Sequence, residues 1–238
     1  IYLNTGNKMK RFVIVSVLAA LFGVCNAVAQ ERAIILKEAS SDSTARIYAL
    51  PEALVYSGKK KSKKLANKGV RVAGARTAWT PDNLGQEIGS VVESGNIFRV
   101  QEISFNVMSN GIAGLKLCIN IYALNEEKMQ YCNIMHTPMY VDVPVLSAKQ
   151  ELTAYPTEQL FLAPGRYFVA VRMTDCDAAV KEQWSDNTMW DNRKRYSMSK
   201  QSIHFPLYLK SSYTRKGIAD ELEKVPVNMG LTVKGIEY

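Results

Sequence analysis

From Val91 onward the chain mostly alternates between apolar and polar residues, which is the period of a β-strand with one buried face. The segment "VQEISFNV" places Ile103, Phe105 and Val107 on one side. The segment "GLKLCINIYA" does the same with Leu115, Leu117, Ile119 and Ile121. The same criteria predict further strands at residues 139–145, 158–162, 166–174, 203–209 and 229–236.

Turn sequences separate these strands, among them Ser109-Asn110-Gly111 and Ala163-Pro164-Gly165. Many short strands without a long amphipathic helix predict an all-β fold, an antiparallel, jelly-roll-like β-sandwich. Short peripheral helices are predicted at residues 178–184 and 216–224.

The region before residue 70 is less regular and contains the densest charge of the chain, five lysines in the six positions from Lys59 to Lys64. We interpret this run as a solvated basic loop, with contact to an anionic polymer or lipid head group as the alternative. Residues 30–69 are therefore predicted to form an N-terminal extension with a basic loop, and residues 70–238 the sandwich domain.

Residues 9–29 have the features of a secretory signal peptide: Lys10 and Arg11, then an apolar run, then Ala27-Val28-Ala29 before Gln30. Residues 1–8 are interpreted as upstream translation. Lipidation of Cys25 is the alternative, although Val24 suits that processing poorly. We expect an exported protein of the periplasm, the outer membrane surface or the extracellular space, with no transmembrane span in the mature chain.

The net charge of the chain is +8, and removal of residues 1–29, which carry three basic and no acidic residues, lowers it to +5. A modest positive charge favours acidic partners. The lysine run lacks the arginine and interleaved aromatic residues of a nucleic-acid site, so we predict no nucleic-acid partner.

The segments "GQEIGSVVESGNIFRVQEISFNVMSNGIAGLKLCINIYAL", "LTAYPTEQLFLAPGRYFVAVRMTD" and "NMGLTVKGIEY" resemble a sandwich module of exported Bacteroidetes proteins, uncharacterised or described as carboxypeptidase-like regulatory-domain proteins. The resemblance covers residues 85–238 and rests on Ile88-Gly89, Phe105, Asn120-Ile121-Tyr122 and Pro164-Gly165. It implies a jelly-roll-like envelope protein and no catalytic residues.

Few residues of the chain are candidates for catalysis or metal binding. The two histidines are His136 and His204, and Cys132 lies about 13 Å from His136 along an extended strand, too far for a nucleophile and its base. The acids Asp175, Asp177, Asp186 and Asp191 do not match a calcium-loop spacing. We therefore predict no catalytic residue, no cofactor and no metal.

Three cysteines follow the signal segment: Cys118, Cys132 and Cys176. A hairpin that turned at Asn125 would place Cys118 opposite Cys132 and allow a disulfide, whereas a register shifted by one residue would forbid it. A Cys118–Cys132 disulfide and the absence of any disulfide are both open, with pairing to Cys176 a third outcome.

Two regions are candidate ligand-binding surfaces. The long connection 175–201 carries Trp184, Trp190 and Tyr196 among polar residues, which suits sugar rings. The alternative is that the tryptophans fold back and cover an open edge or end of the sandwich. The predicted outer sheet face carries Tyr122 and Arg172, beside Lys116, Asn120, Tyr140, Asp142 and Arg166.

These observations predict an exported, non-enzymatic binding or interaction module of the cell envelope, with a polysaccharide or an envelope protein as its partner. A carbohydrate-active hydrolase and a structural or assembly component of the envelope are the alternatives.

Overall fold

The alternating segments form two β-sheets in the computed structural model, which describes residues 35–38, 60–185 and 200–238. In chain order the strands are β1 (Ile35–Glu38), β2 (Lys61–Ala66), β3 (Val70–Trp79), β4 (Glu87–Ser94), β5 (Phe98–Val107), β6 (Ser109–Asn110), β7 (Leu115–Asn125), β8 (Gln130–Asn133), β9 (Met139–Val143), β10 (Gln150–Ala154), β11 (Leu160–Leu162), β12 (Gly165–Asp175), β13 (Ile203–Arg215), β14 (Leu222–Asn228) and β15 (Thr232–Glu237). The predicted all-β class is confirmed.

The smaller sheet has five strands in the order β10-β5-β15-β2, with β11 also paired to β5, and the larger sheet contains the other ten. Within the described residues every pairing is antiparallel except that of β1 with β8. The two sheets share an apolar core that includes Ile103, Phe105 and Val233 of the smaller sheet and Ile119 and Val169 of the larger one. The jelly-roll likeness remains a prediction.

Seven strands of the larger sheet close into a ring. The order β12-β4-β13-β14-β1-β8-β7 is completed by a direct pairing between β7 and β12. One face of β4, β7 and β12 lies in the core between the sheets, and the other face lies inside this ring, because side chains alternate along a strand. These three strands are therefore buried on both faces over much of their length.

The ring interior forms a second core, made of buried residues that do not belong to the core between the sheets. It is rich in aromatic and polar side chains, and strands from all around the ring supply it: Leu36, Glu87, Val91, Cys118, Asn120, Tyr122, Tyr131, Phe168, Ala170, Tyr213, Arg215 and Leu222. Tyr122 stacks on Phe168 with ring centroids 5.9 Å apart, and Phe168 meets Tyr213 edge-on at 5.9 Å. Such pairs add to the stability gained from area burial alone.

From Lys61 onward the lysine run forms a strand and not a loop. Strand β2 pairs with β15 along its whole length, from Lys61 opposite Glu237 to Ala66 opposite Thr232. Among the described residues its other edge has no partner strand. Lysines on an exposed edge strand discourage pairing with another chain. Strands β1 and β2, which precede residue 70, thus belong to the two sheets, and the division of the chain into domains stays a prediction.

The first predicted helix is confirmed as α1 (Ala178–Ser185), and a short 3₁₀ helix spans Pro81–Asn83. The second, at residues 216–224, is wrong: residues from Leu222 on form β14, which pairs with both β13 and β1. Ile218 and Leu222 have the four-residue spacing of a helix face, but tertiary pairing overrides that local signal. Among the described residues, no helix has the length and apolar character needed to cross a membrane.

Candidate functional site

A row of side chains crosses the ring at one register position. Glu87 lies opposite Arg172 on one side and opposite Arg215 on the other, and Arg172 in turn lies opposite Cys118. The row continues out of the ring to Tyr140, which pairs with Cys118 on β9. It therefore runs from a buried ion pair to an exposed aromatic ring.

Glu87 is the centre of this row and is completely buried. Its carboxylate accepts hydrogen bonds from Asn120 Nδ2 at 2.7 Å, from Tyr122 Oη at 2.9 Å and from Arg215 Nε at 2.8 Å. Arg215 also donates to the Tyr122 hydroxyl at 2.9 Å and to the carbonyl of Ile218 at 3.0 Å. A buried carboxylate needs this number of donors because it has lost its water.

The ionisation of the cluster follows from burial and from the Glu87 charge. Burial, followed by the neighbouring Glu87 carboxylate, raises the pKa of Tyr122 far above its usual range, so the hydroxyl remains protonated and acts as a donor. Burial by itself lowers the pKa of Arg215, but the charge of Glu87 opposes it and the pKa of Arg215 is raised overall.

The predicted solvent-facing side of the sheet is wrong for Asn120 and Tyr122, which are both 2% exposed. Asn120 and Tyr122 do lie on the same face of β7, as the alternation predicts, but the ring encloses that face. Arg172 is at the end of the ring, with a side chain that is 17% exposed, and Tyr140 is 62% exposed. Of the predicted outer-face residues, Arg172 and Tyr140 are the ones that this row brings together at the surface.

Trp184 lies on α1 and is half-buried against the core between the sheets. Its indole Nε1 donates to Gln201 Oε1 at 2.6 Å, which ties the helix to the start of the following segment. This geometry favours the covering role over a sugar platform. Trp190 and Tyr196, as well as Asp186 and Asp191, lie outside the described residues.

The Cys118–Cys132 disulfide, one of the three outcomes left open by the sequence, does not form in the structure. In the β7–β8 hairpin Cys132 lies opposite Ala123, and Asn125 lies opposite Gln130, so the turn is centred beyond Asn125. Cys132 is thus displaced by five residues from Cys118, far beyond the span of a disulfide. Cys118, Cys132 and Cys176 are all free thiols.

An open cleft of about 620 Å³ lies on the side of the molecule where β2 faces β4. Its lining residues include Leu65, Val91 and Val92, whose side chains are buried. Its rim carries four cationic side chains and one carboxylate: Lys63, Lys64, Arg166, Lys210 and Glu93. The cleft thus has a mainly polar lining with an excess of positive charge, a combination that sequence spacing did not indicate.

Two of the rim cations are already paired, since Lys63 forms an ion pair with Glu237 and Arg166 with Glu126. Lys64 and Lys210 are exposed and form no ion pair with any described residue. Their charges are therefore available to an anion that enters the cleft. A cleft lined by charges of one sign raises the local concentration of counter-ions.

Of the two histidines, His204 has a polar partner, with its Nδ1 3.1 Å from Ser109 Oγ. Burial, with help from the Arg76 charge, lowers the pKa of His204. A catalytic triad also requires a carboxylate on the histidine, and no described carboxylate forms an ion pair with His204. In the acidic segment, Asp175 is paired with Lys181, and the described residues contain no group of ligands suited to a metal ion.

No protein-family model matches the chain, and no curated protein sequence matches it. Among solved structures, the chain is similar to one in the crystal structure of the IBDV viral particle, at 5% sequence identity and with a TM-score of 0.26. The alignment covers 76% of this chain and 40% of that one. A likeness this distant carries no argument about fold detail or function.

Proposed function

We propose that this protein is a non-enzymatic binding module of the cell envelope, whose cleft holds an acidic polysaccharide. The observation that carries the proposal is the cleft between β2 and β4, whose lining is mainly polar and includes Lys64 and Lys210, two cations that form no ion pair with a described residue. The hydroxyl groups of a polysaccharide suit a polar lining, and its carboxylates suit the two ammonium groups.

The alternative function, a carbohydrate-active hydrolase, has less support at this cleft. Glycosidases generally use two carboxyl groups about 5 to 10 Å apart, one on each side of the scissile bond. The residues that line the cleft include one carboxylate, Glu93. Glu87, the fully buried acid of the ring, faces several donors and does not line the cleft.

The experiment compares the binding of polygalacturonate, an acidic polymer, with that of dextran, a neutral one. Binding is measured by calorimetry or affinity electrophoresis. The double variant Lys64→Glu/Lys210→Glu should weaken polygalacturonate binding at least tenfold. The matched control is Lys128→Glu/Lys149→Glu, which changes the net charge equally at exposed positions outside the cleft and should change binding less than twofold. Added salt should weaken binding, because exposed charges carry much of it.

Three results would overturn the proposal. They are equal weakening by the two double variants, binding of dextran as tight as that of polygalacturonate, and binding of a single-stranded oligonucleotide as tight as that of polygalacturonate. The last would indicate general attraction of polyanions and not a glycan site. Release of shorter sugars from polygalacturonate would favour the hydrolase instead.

Location in the envelope rests on the predicted signal peptide at residues 9–29, which lies outside the described residues. Mass spectrometry of the protein recovered from the cell envelope should identify Gln30 as the new N-terminus. A lipid-modified Cys25 would identify the alternative, a lipoprotein, and an unprocessed cytoplasmic chain would contradict export.

A further inference from the structure

The guanidinium group of Arg172 has few hydrogen-bond acceptors near it. Its side chain is 17% exposed, and its Nε is buried with no hydrogen-bond partner among the described residues. One terminal nitrogen lies 3.8 Å from Glu87 Oε1, which is longer than a hydrogen bond. The other lies 3.8 Å from Cys118 Sγ, and a thiol is a weak acceptor.

The charges of the row do not balance. Glu87 supplies one negative charge, and its oxygens already accept from Arg215, Asn120 and Tyr122 at 2.7 to 3.0 Å. Arg215 and Arg172 supply two positive charges. Among the described residues no other carboxylate lies within 4.0 Å of Arg172. A largely buried charge without a counter-charge is costly, and an anion from solution would relieve that cost.

The exposed end of the row supplies a second contact surface. Tyr140 lies two strands from Arg172 at the same register position, which places their backbones about 10 Å apart. The Tyr140 side chain is 62% exposed, so its ring is accessible to a ligand. A ligand with an anionic group at Arg172 and a ring against Tyr140 would span this part of the row.

We infer that Arg172 and Tyr140 form a binding site for a sugar acid, with the carboxylate at the Arg172 guanidinium and the sugar ring against Tyr140. A planar carboxylate matches the planar, multi-donor guanidinium in a paired hydrogen-bonding geometry. This site is separate from the cleft. Arg166, on the cleft rim, and Arg172 are six residues apart on β12, or about 20 Å.

Calorimetry at constant ionic strength tests the site with three probes: glucuronate, acetate and glucose. The wild-type protein should bind glucuronate saturably, and at least tenfold more tightly than glucose. Arg172→Met should weaken glucuronate binding at least tenfold, and Tyr140→Ala should weaken it at least threefold while leaving acetate binding unchanged. Lys64→Glu/Lys210→Glu should bind glucuronate as the wild type does, so this site and the cleft are tested separately.

If Arg172→Met does not fold, as judged by circular dichroism, Arg172→Lys keeps the charge but not the planar donor set. It should then weaken glucuronate binding at least threefold. Absence of saturable glucuronate binding, or full binding by a folded Arg172 variant, would overturn the site. Equal affinities for acetate and glucuronate would overturn the sugar-ring contact with Tyr140.

Discussion

Glu87 and Arg215 lie directly opposite each other on β4 and β13, and Arg215 Nε donates to Glu87 Oε2 at 2.8 Å inside the ring. Both side chains are almost completely excluded from solvent, at 0% and 4% exposure. The pair joins two strands that meet in register only at Thr214 and Arg215. The ion pair therefore lies where the ring closes between β4 and β13.

Glu87→Gln should destabilise the protein by about 3 to 5 kcal/mol, because it leaves the buried Arg215 guanidinium without its counter-charge. Urea unfolding monitored by circular dichroism measures this. Glu102→Gln, which disrupts the partly exposed ion pair with Lys234, is the matched control and should cost much less. The double change Glu87→Met/Arg215→Met should recover only part of the loss, because Arg172, Asn120 and Tyr122 also lose their contact with the Glu87 carboxylate. A Glu87→Gln protein within about 1 kcal/mol of the wild type would contradict this role.

His204 should make the protein less stable as the pH falls below about 6.5, the ordinary pKa of histidine. Burial and the Arg76 charge lower the pKa of folded His204, so the unfolded chain takes up a proton before the folded one does. The contribution of His204 to the free energy of unfolding is therefore fully present above the pKa that this residue has in the unfolded chain. It is lost as the pH falls toward the lower pKa that His204 has in the folded protein.

Urea midpoints at pH 7.5, 6.5 and 5.5 measure this dependence, above the range in which most carboxylates titrate. His204→Gln should flatten the decrease over this range. His136→Gln, at an exposed position, is the control and should leave the decrease as in the wild type. An unchanged slope in His204→Gln would contradict the assignment.

The three cysteines should differ in reactivity toward N-ethylmaleimide. Cys132 is half-buried and should be modified in the folded protein, whereas Cys118 and Cys176 should be protected until the protein unfolds. Burial raises the pKa of both protected thiols and so disfavours the reactive thiolate. Peptide mapping without reductant should recover all three as free thiols, and a cross-linked Cys118–Cys132 peptide would show that the β7–β8 register is incorrect.

Trp184→Ala should lower stability by about 2 kcal/mol, less than the cost for a fully buried tryptophan because part of the ring is exposed. Thermal melting measures the change. Gln201→Ala removes the acceptor of the indole N–H, so the two changes together should cost less than the sum of each alone. Tyr155→Ala, at an exposed aromatic ring, is the control and should have little effect. An unchanged melting temperature for Trp184→Ala would restore the platform interpretation.

Alternation along the chain was enough to predict the strands and the faces of β5, β7 and β12. The residues predicted to share a buried face, from Leu115 to Ile121 in steps of two, all lie in the core between the sheets. Helix α1 was also predictable, from its local pattern. These features depend on neighbours within a few residues, where side-chain direction follows directly from backbone geometry.

The alternation of apolar and polar residues does not predict contacts between distant segments. Asn120 and Tyr122 have polar groups typical of a solvent-exposed sheet face. The pairing of β1 with β8 and of β13 with β4 nevertheless closes a ring over them. Likewise, a shift of the hairpin centre past Asn125 was sufficient to separate Cys118 from Cys132. Register is set by the packing of whole strands, and a small shift reassigns every cross-strand partner.

The sequence by itself determined the all-β class, the parity of the main strands and the position of one helix, because these follow from local periodicity. The tertiary structure alone decided that Glu87 meets Arg215, that Arg172 lacks a full counter-charge and that Lys64 and Lys210 border one cleft. Each of these depends on which strands pair and where the chain closes on itself, and such long-range pairings leave no periodic signal in the sequence.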